Sequence, residues 1–122
     1  MIVAIPVENK EAVGKVCPSF GRAPYYMIYN SGDMTLSFMD NEAAAAAGGA
    51  GIKAAQLLVD AKVEAVATPR CGKNAAEVLE GANIKIFKTS GDDLKGNMDS
   101  LSKDSLPVLN SFHAGFHGHG GQ

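Results

Sequence analysis

The stretch from Asn41 to Val59, NEAAAAAGGAGIKAAQLLV, decides how this chain folds, because it links two predicted strands through a helix. Its second half has apolar residues at helical spacing, namely Ile52, Ala55, Leu58 and Val59. Three glycines stand where this helix begins: Gly48, Gly49 and Gly51. Glycine there allows close approach of a ligand and leaves the first N–H groups of the helix free to bind an anion. The alternative is a loop that only packs tightly.

Five short apolar segments surround this stretch. The predicted strands are Ile2–Val7, Tyr25–Tyr29, Thr35–Met39, Val63–Thr68 and Ile84–Lys88. Two more helices are predicted, one from about Gly72 to Glu80 and one after the capping-box sequence Ser90–Asp93. The first three strands form an antiparallel meander, and each helix returns the chain to a parallel strand. We expect an α/β fold of the ribonuclease-H-like three-layer type, a five-stranded mixed sheet with helices on both faces.

The predicted strand directions bring several loops to one edge of the sheet. These loops carry Cys17, the glycine stretch before the central helix, and the sequence Arg70–Gly72. Ligands of open α/β sheets bind at such an edge. Cys71 stands at a helix entry beside Arg70, and both the helix dipole and the guanidinium favour a thiolate there. Alternatively, Cys71 is a small residue that fills a turn, and Arg22 is a solvated cation rather than an anion ligand.

Composition and charge exclude several functions. The chain has 122 residues, is 46% hydrophobic and carries a net charge of −2 without basic blocks, which gives nucleic acid no reason to bind. No apolar run is long enough for a membrane span, and the N-terminus lacks a signal-peptide layout, so we expect the cytoplasm and reduced cysteines. No histidine lies near either cysteine in sequence, so we expect no enzyme activity. We expect one domain over residues 1–107 and a flexible Gly/His-rich tail over residues 108–122.

The tail, NSFHAGFHGHGGQ, contains all three histidines: His113, His117 and His119. They could chelate nickel, copper or zinc. The alternative is a solvated chain end.

Three motifs in this order resemble a known family. They are Ser19-Phe-Gly-Arg-Ala-Pro-Tyr-Tyr26, Gly49-Ala-Gly-Ile-Lys-Ala-Ala-Gln-Leu-Leu58, and Cys71-Gly-Lys-Asn-Ala-Ala-Glu-Val-Leu79 followed by Ile84-Lys-Ile86. They are similar to the nitrogenase iron–molybdenum cofactor biosynthesis family, which includes NifX, NifY and the C-terminal part of NifB. The resemblance implies a domain that binds or carries an anionic metal–sulfur cluster or its precursor. Family members often have histidine where this chain has Ser19, and Cys17 is the softer ligand that could replace it.

The leading hypothesis is a non-enzymatic carrier of an iron–molybdenum or molybdenum–copper type of cluster, which exchanges it with a donor or acceptor protein. The cluster would be bound by residues of the three motifs and their neighbours: Cys17, Ser19, Arg22, Gly48, Gly49, Gly51, Cys71 and Gly72. Cys17 and Cys71 would be its metal ligands. Two alternatives remain open: a metal-free regulatory domain that binds a small anion or a partner protein, and a metal-ion chaperone that uses the tail histidines.

Overall fold

A computed structural model describes residues 1–110 and 112 of the chain. The strands are β1 (Ile2–Val7), β2 (Tyr25–Asn30), β3 (Leu36–Asp40), β4 (Ala65–Thr68) and β5 (Lys85–Lys88). The α-helices are α1 (Ala50–Asp60), α2 (Lys73–Gly81) and α3 (Leu94–Ser102), and a 3₁₀ turn, Glu42–Ala45, precedes α1. No helix in this described part of the chain is both long and apolar enough to cross a membrane.

The strands form one mixed sheet in the order β3-β2-β1-β4-β5. β2 pairs antiparallel with β1 and with β3, while β4 pairs parallel with β1 and with β5. β1 lies at the centre, and its continuous apolar run is buried from Val3 to Val7 because both faces of the sheet are covered. The predicted meander and the two parallel additions are confirmed.

The helices lie on both faces of the sheet, as predicted. On one face, α1 and α2 bury Ala54, Leu58 and Leu79 against the sheet. On the other face, α3 buries Leu94 and Leu101. The expected fold class, an α/β domain with a five-stranded mixed sheet, is therefore confirmed.

Two details of the helix predictions are wrong. Ile52, assigned to the inner face of the central helix, is 42% exposed, and Ala54 is buried instead. The third helix has Asp93 as its N-cap, with the carboxylate accepting a hydrogen bond from the N–H of Gly96 at 3.2 Å, so Ser90 does not cap it. Ser90 instead donates its backbone N–H to the side chain of Asn97 at 2.7 Å.

The β1–β2 connection, predicted as an irregular loop, contains short-range pairing. Val16 pairs antiparallel with Val7, and the N–H of Cys17 donates to the carbonyl of Pro6 at 2.8 Å. The N–H of Val16 donates to the carbonyl of Asp92 at 2.8 Å. The second half of the connection is therefore fixed against β1 and against the β5–α3 loop.

The packed part of the chain extends beyond residue 107, where we expected the tail to begin. The N–H of Lys88 donates to the carbonyl of Pro107, and the N–H of Leu109 donates to the carbonyl of Ile86, both at 2.8 Å. Leu109 is buried and Phe112 packs against the same apolar core. The C-terminal segment thus covers the edge of β5, where Leu109 joins the same apolar core as Ile86. The polar, glycine-rich sequence of the tail did not reveal this packing.

Candidate functional site

Three connections meet at the carboxyl edge of the sheet, as predicted from the strand directions. They are the β1–β2 loop, the β3–α1 connection and the β4–α2 connection. The first turns of α1 and α2 lie side by side, since a Cβ atom added to Gly51 would lie 3.5 Å from the Cβ of Ala75. Two helix N-termini therefore open at the same place.

Neither of these two N-termini is capped by a side chain. The N-cap of α1 is Gly49, with φ 68° and ψ 26°, and the N-cap of α2 is Gly72, with φ −70° and ψ 151°. By contrast, side chains of Asn41 and Asp93 cap the 3₁₀ turn and α3. The first N–H groups of α1 and α2 are thus without a side-chain acceptor, and such groups bind anions readily.

The three glycines before and within α1 differ in their surroundings. A Cβ atom on Gly48 or Gly49 would meet no atom within 4 Å. On the other side, the β1–β2 loop packs directly on the helix, because a Cβ atom on Gly21 would lie 2.7 Å from the backbone nitrogen of Gly51. Gly48 and Gly49 therefore border open space, whereas Gly51 lies at a backbone contact, which matches the alternative of tight packing.

Ser19 and Arg22 have partners within the protein. The hydroxyl of Ser19 accepts the backbone N–H of Arg22 at 3.1 Å. Nη1 of Arg22 donates to the carbonyls of Ala44 and Ala46, each at 2.9 Å. Both side chains thus hold the loops of this edge in place, a role that the sequence did not reveal.

Asn41 and Tyr26 are further residues of this edge that the sequence analysis did not single out. Asn41 is buried, and its amide donates to the carbonyls of Gly21 at 3.0 Å and Ala23 at 2.8 Å. The Tyr26 hydroxyl donates to the carbonyl of Phe20, and the two rings lie 5.6 Å apart at 53°. Their positions were the only feature of the sequence that could have indicated these roles, since Asn41 is the first residue of the central stretch and Tyr26 is the last residue of the first motif.

Both cysteines are buried in connections that meet at this edge, Cys17 in the β1–β2 loop and Cys71 between β4 and α2. Burial raises the pKa of the Tyr26 hydroxyl, and Cys71 and Cys17 raise it further by their charge interactions. Cys17 is 6% exposed and Cys71 is 1% exposed. Cys71 and Tyr26 thus belong to the same apolar core cluster, whereas Cys17 is buried in the β1–β2 loop that reaches the same edge.

The expectation of a thiolate at Cys71 is wrong. Burial, and to a smaller extent the charge of Glu80, raises the pKa of the Cys71 thiol to about 12. Its Sγ donates to the carbonyl of Gly72 at 3.6 Å. The pKa of Cys17 is also raised, first by burial and also by Glu8. Burial of the Cys71 sulfur in the apolar core therefore opposes the thiolate that the helix dipole and Arg70 were expected to favour.

Three exposed cations lie in or beside the loops of this edge. Arg22, Arg70 and Lys73 are exposed. The two ion pairs found within residues 1–110 and 112, Lys10–Asp40 and Lys15–Asp92, do not involve them. The same residues contain no group of three His, Cys, Asp or Glu side chains that could hold a metal ion. The three candidate histidines, His113, His117 and His119, lie outside the described residues.

A five-stranded mixed sheet covered by helices on both faces, with two uncapped helix N-termini at its carboxyl edge, defines a small α/β domain. The model of the dinitrogenase iron-molybdenum cofactor family matches residues 1–104, and the chain belongs to this family. No curated protein sequence matches the chain at a significant level.

Solved structures share this fold over nearly their whole length. The apo form of the orange protein (ORP) from Desulfovibrio gigas is 26% identical, with a TM-score of 0.83 over 88% of this chain and 92% of that one. A candidate NifB protein from Thermotoga is 31% identical, with a TM-score of 0.77 over 98% of each chain. A candidate dinitrogenase from Methanocaldococcus jannaschii, 18% identical with a TM-score of 0.67 over 89% and 94%, shows the same fold.

Proposed function

We propose that this protein binds and carries an anionic metal–sulfur cluster, or a precursor of one, in iron–molybdenum cofactor biosynthesis. Membership of the dinitrogenase iron-molybdenum cofactor family supports the process. The observation that carries the binding role is the adjacent pair of uncapped helix N-termini, at Gly49 of α1 and Gly72 of α2. We propose binding rather than catalysis, and the cluster is cargo that a donor protein supplies and an acceptor protein takes.

Backbone amides are the main ligands in this proposal. Gly48 and Gly49 border open space before α1, and Gly72 begins α2 at the same edge without a side-chain cap. The exposed cations Arg70 and Lys73 add positive charge beside them. A multiply charged cluster suits this surface, because aligned amides and helix dipoles stabilise negative charge without needing a deprotonated side chain.

The cysteines have a smaller part in this proposal than the sequence suggested. With a pKa of about 12, deprotonation of Cys71 at pH 7 costs about 7 kcal/mol, since each pKa unit is worth about 1.4 kcal/mol. A metal must supply that energy on binding the sulfur, and it must also reach a side chain that is 1% exposed. Cys17, at 6% exposure, is the more accessible thiol for direct ligation.

The test is anaerobic reconstitution with molybdate, copper and sulfide, followed by metal analysis and a visible spectrum. Gly48→Asp places a negative charge beside the α1 N-terminus without steric conflict, and we expect at least a tenfold loss of affinity. Gly81→Asp is the matched control, because it adds the same side chain in open space at the far end of α2. Equal binding by Gly48→Asp and Gly81→Asp would contradict the amide site.

A second variant tests the thiols separately. We expect the double variant Cys17→Ser, Cys71→Ser to keep most of its cluster binding, because the amides provide the main contacts. Loss of the charge-transfer bands in this variant, with the fold intact by circular dichroism, would instead make the sulfurs direct ligands, as the sequence hypothesis stated.

A metal-free anion receptor is the second candidate function, favoured by the lack of a three-residue metal group within residues 1–110 and 112. In that case inorganic phosphate or molybdate alone should bind at the same edge, and Gly48→Asp should weaken it. The chaperone hypothesis is tested by removing residues 113–122, which should abolish binding of nickel, copper or zinc. We propose a cytoplasmic location for each candidate, because two free thiols persist in a reducing compartment.

A further inference from the structure

Two side chains connect the β1–β2 loop to the β3–α1 connection in opposite directions. Asn41, from the β3–α1 connection, donates to the carbonyls of Gly21 and Ala23. Arg22, from the β1–β2 loop, donates to the carbonyls of Ala44 and Ala46. Each side chain thus bonds to the backbone of the other segment, and we call Asn41 and Arg22 the reciprocal clamp.

The reciprocal clamp lies directly before the amides that we assign to anion binding. Ala46, held by Arg22, is the residue that ends the 3₁₀ turn, and Gly48 and Gly49 follow it. Asn41 also accepts the N–H of Ala43 at 3.1 Å, which fixes the start of the same turn. The 3₁₀ turn is therefore held at both of its ends, Asn41 and Ala46, and is bonded to the loop that packs on α1.

Because residues 48 and 49 are both glycine, the start of α1 needs the reciprocal clamp to limit its backbone freedom. Two consecutive glycines have the largest backbone freedom, and neither has a Cβ that contacts a neighbour. An anion that needs several N–H groups aimed at one point must order this segment when it binds, unless the protein has already done so. Side chains that fix the preceding turn reduce that entropic cost.

We propose that Asn41 and Arg22 are positioning residues, which hold the α1 N-terminus in the geometry that binds the anionic ligand. This inference rests on the proposed function. It also changes the role of Arg22, which the sequence hypothesis placed among the ligand-contacting residues. The side chain acts through the carbonyls of Ala44 and Ala46 rather than through contact with the cargo.

Hydrogen exchange tests the clamp without any ligand. In Asn41→Ala, we expect the amides of residues 43–51 to exchange at least tenfold faster than in the wild type, while amides of β4 and α3 change little. The matched control is Asn97→Ala. Asn97 is also buried and also bonds a loop, through Ser90 and Asp93, but on the opposite face of the sheet. Unchanged exchange of residues 43–51 in Asn41→Ala would overturn the inference.

A double-mutant cycle tests the effect on binding, with the reconstituted molybdenum–copper–sulfide species as the probe. We expect Asn41→Ala and Arg22→Gln each to weaken binding about tenfold, and the double variant to be scarcely weaker than either. Arg70→Gln is the control for loss of charge alone. Because Arg70 is not part of the clamp, its fold-change in affinity should multiply with that of Asn41→Ala. Asn97→Ala should destabilise the fold to a similar degree and leave the affinity unchanged.

The outcomes separate the two proposals. If Asn41→Ala binds the probe as tightly as the wild type and Gly48→Asp binds it more weakly, the proposed function is kept and the clamp is overturned. Multiplying effects of Asn41→Ala and Arg22→Gln would also overturn it, since Arg22 would then contact the ligand independently. If the wild type binds no probe, the proposed function fails, and the exchange rates of residues 43–51 still decide for or against the clamp.

Discussion

The contact between Gly21 and the first turn of α1 can be tested by adding a single methyl group. In Gly21→Ala, the new Cβ atom would lie 2.7 Å from the nitrogen of Gly51 and 2.8 Å from its Cα, well inside ordinary contact distance. Both neighbours are backbone atoms, so no side chain can rotate away. The loop and the helix must therefore separate by about 0.8 Å to restore a contact near 3.5 Å.

This separation strains bonds that the loop makes elsewhere. The carbonyl of Gly21 accepts the Asn41 amide at 3.0 Å, so moving the loop lengthens that hydrogen bond. Inserting a methyl group into a packed contact costs about 1–3 kcal/mol, and the lower entropy of the unfolded alanine chain offsets about 0.4–1 kcal/mol of this. We expect a net loss of about 1–2 kcal/mol in the free energy of unfolding.

Urea unfolding followed by circular dichroism measures this difference. With a slope of about 2 kcal/mol per M, the midpoint of Gly21→Ala should fall by about 0.5–1 M. Gly48→Ala is the matched control, since its new Cβ meets no atom within 4 Å, and its midpoint should stay equal or rise slightly. A Gly21→Ala midpoint at or above that of Gly48→Ala would refute the close backbone contact.

Three further predictions concern the buried groups and the C-terminal segment. Because the folded pKa of Cys71, about 12, exceeds its ordinary value of 9.0, the folded state keeps a proton that the unfolded state loses. The stability contribution is complete below pH 9 and should fall by about 1.4 kcal/mol per pH unit between pH 9 and 12, a slope that Cys71→Ala should reduce in urea titrations. Tyr26→Phe should lower the free energy of unfolding by about 1–2 kcal/mol, because the carbonyl of Phe20 loses its hydrogen-bond donor inside the core; an unchanged midpoint would mean that water replaces the hydroxyl. Leu109→Ala should cost about 2–4 kcal/mol by calorimetry, whereas Val108→Ala, at a side chain that is 60% exposed, should stay within about 0.5 kcal/mol; equal effects would contradict the packing of this segment on β5.

The sheet could be predicted because its signals are local. The continuous apolar run of β1 indicates a strand covered on both faces, and counting strand directions through the chain orders the loops at the carboxyl edge. The resemblance to the family supported the same fold, and the family model covers residues 1–104.

The candidate site could be predicted only in outline, because its details depend on contacts between distant segments. Periodicity assigned Ile52 to the inner face of α1, but Ile52 is 42% exposed and Ala54 is buried, because the buried face depends on how α1 packs on the sheet and on α2. For Cys71, the local helix dipole and Arg70 were visible in the sequence, whereas the core that surrounds the sulfur was not. The bonds from Asn41 and Arg22 link segments about twenty residues apart, and no spacing rule reveals them.

The helices α1 and α2 begin side by side and run in the same direction, since each returns from a strand that points the same way. Their dipoles are thus parallel neighbours, and the two positive ends repel each other, with Arg70 and Lys73 adding to the repulsion. Each such interaction at a helix end is worth about 0.3–1 kcal/mol at low ionic strength. Salt screens it, so this fold should become more stable, not less, as ionic strength rises to physiological values in the absence of any bound anion.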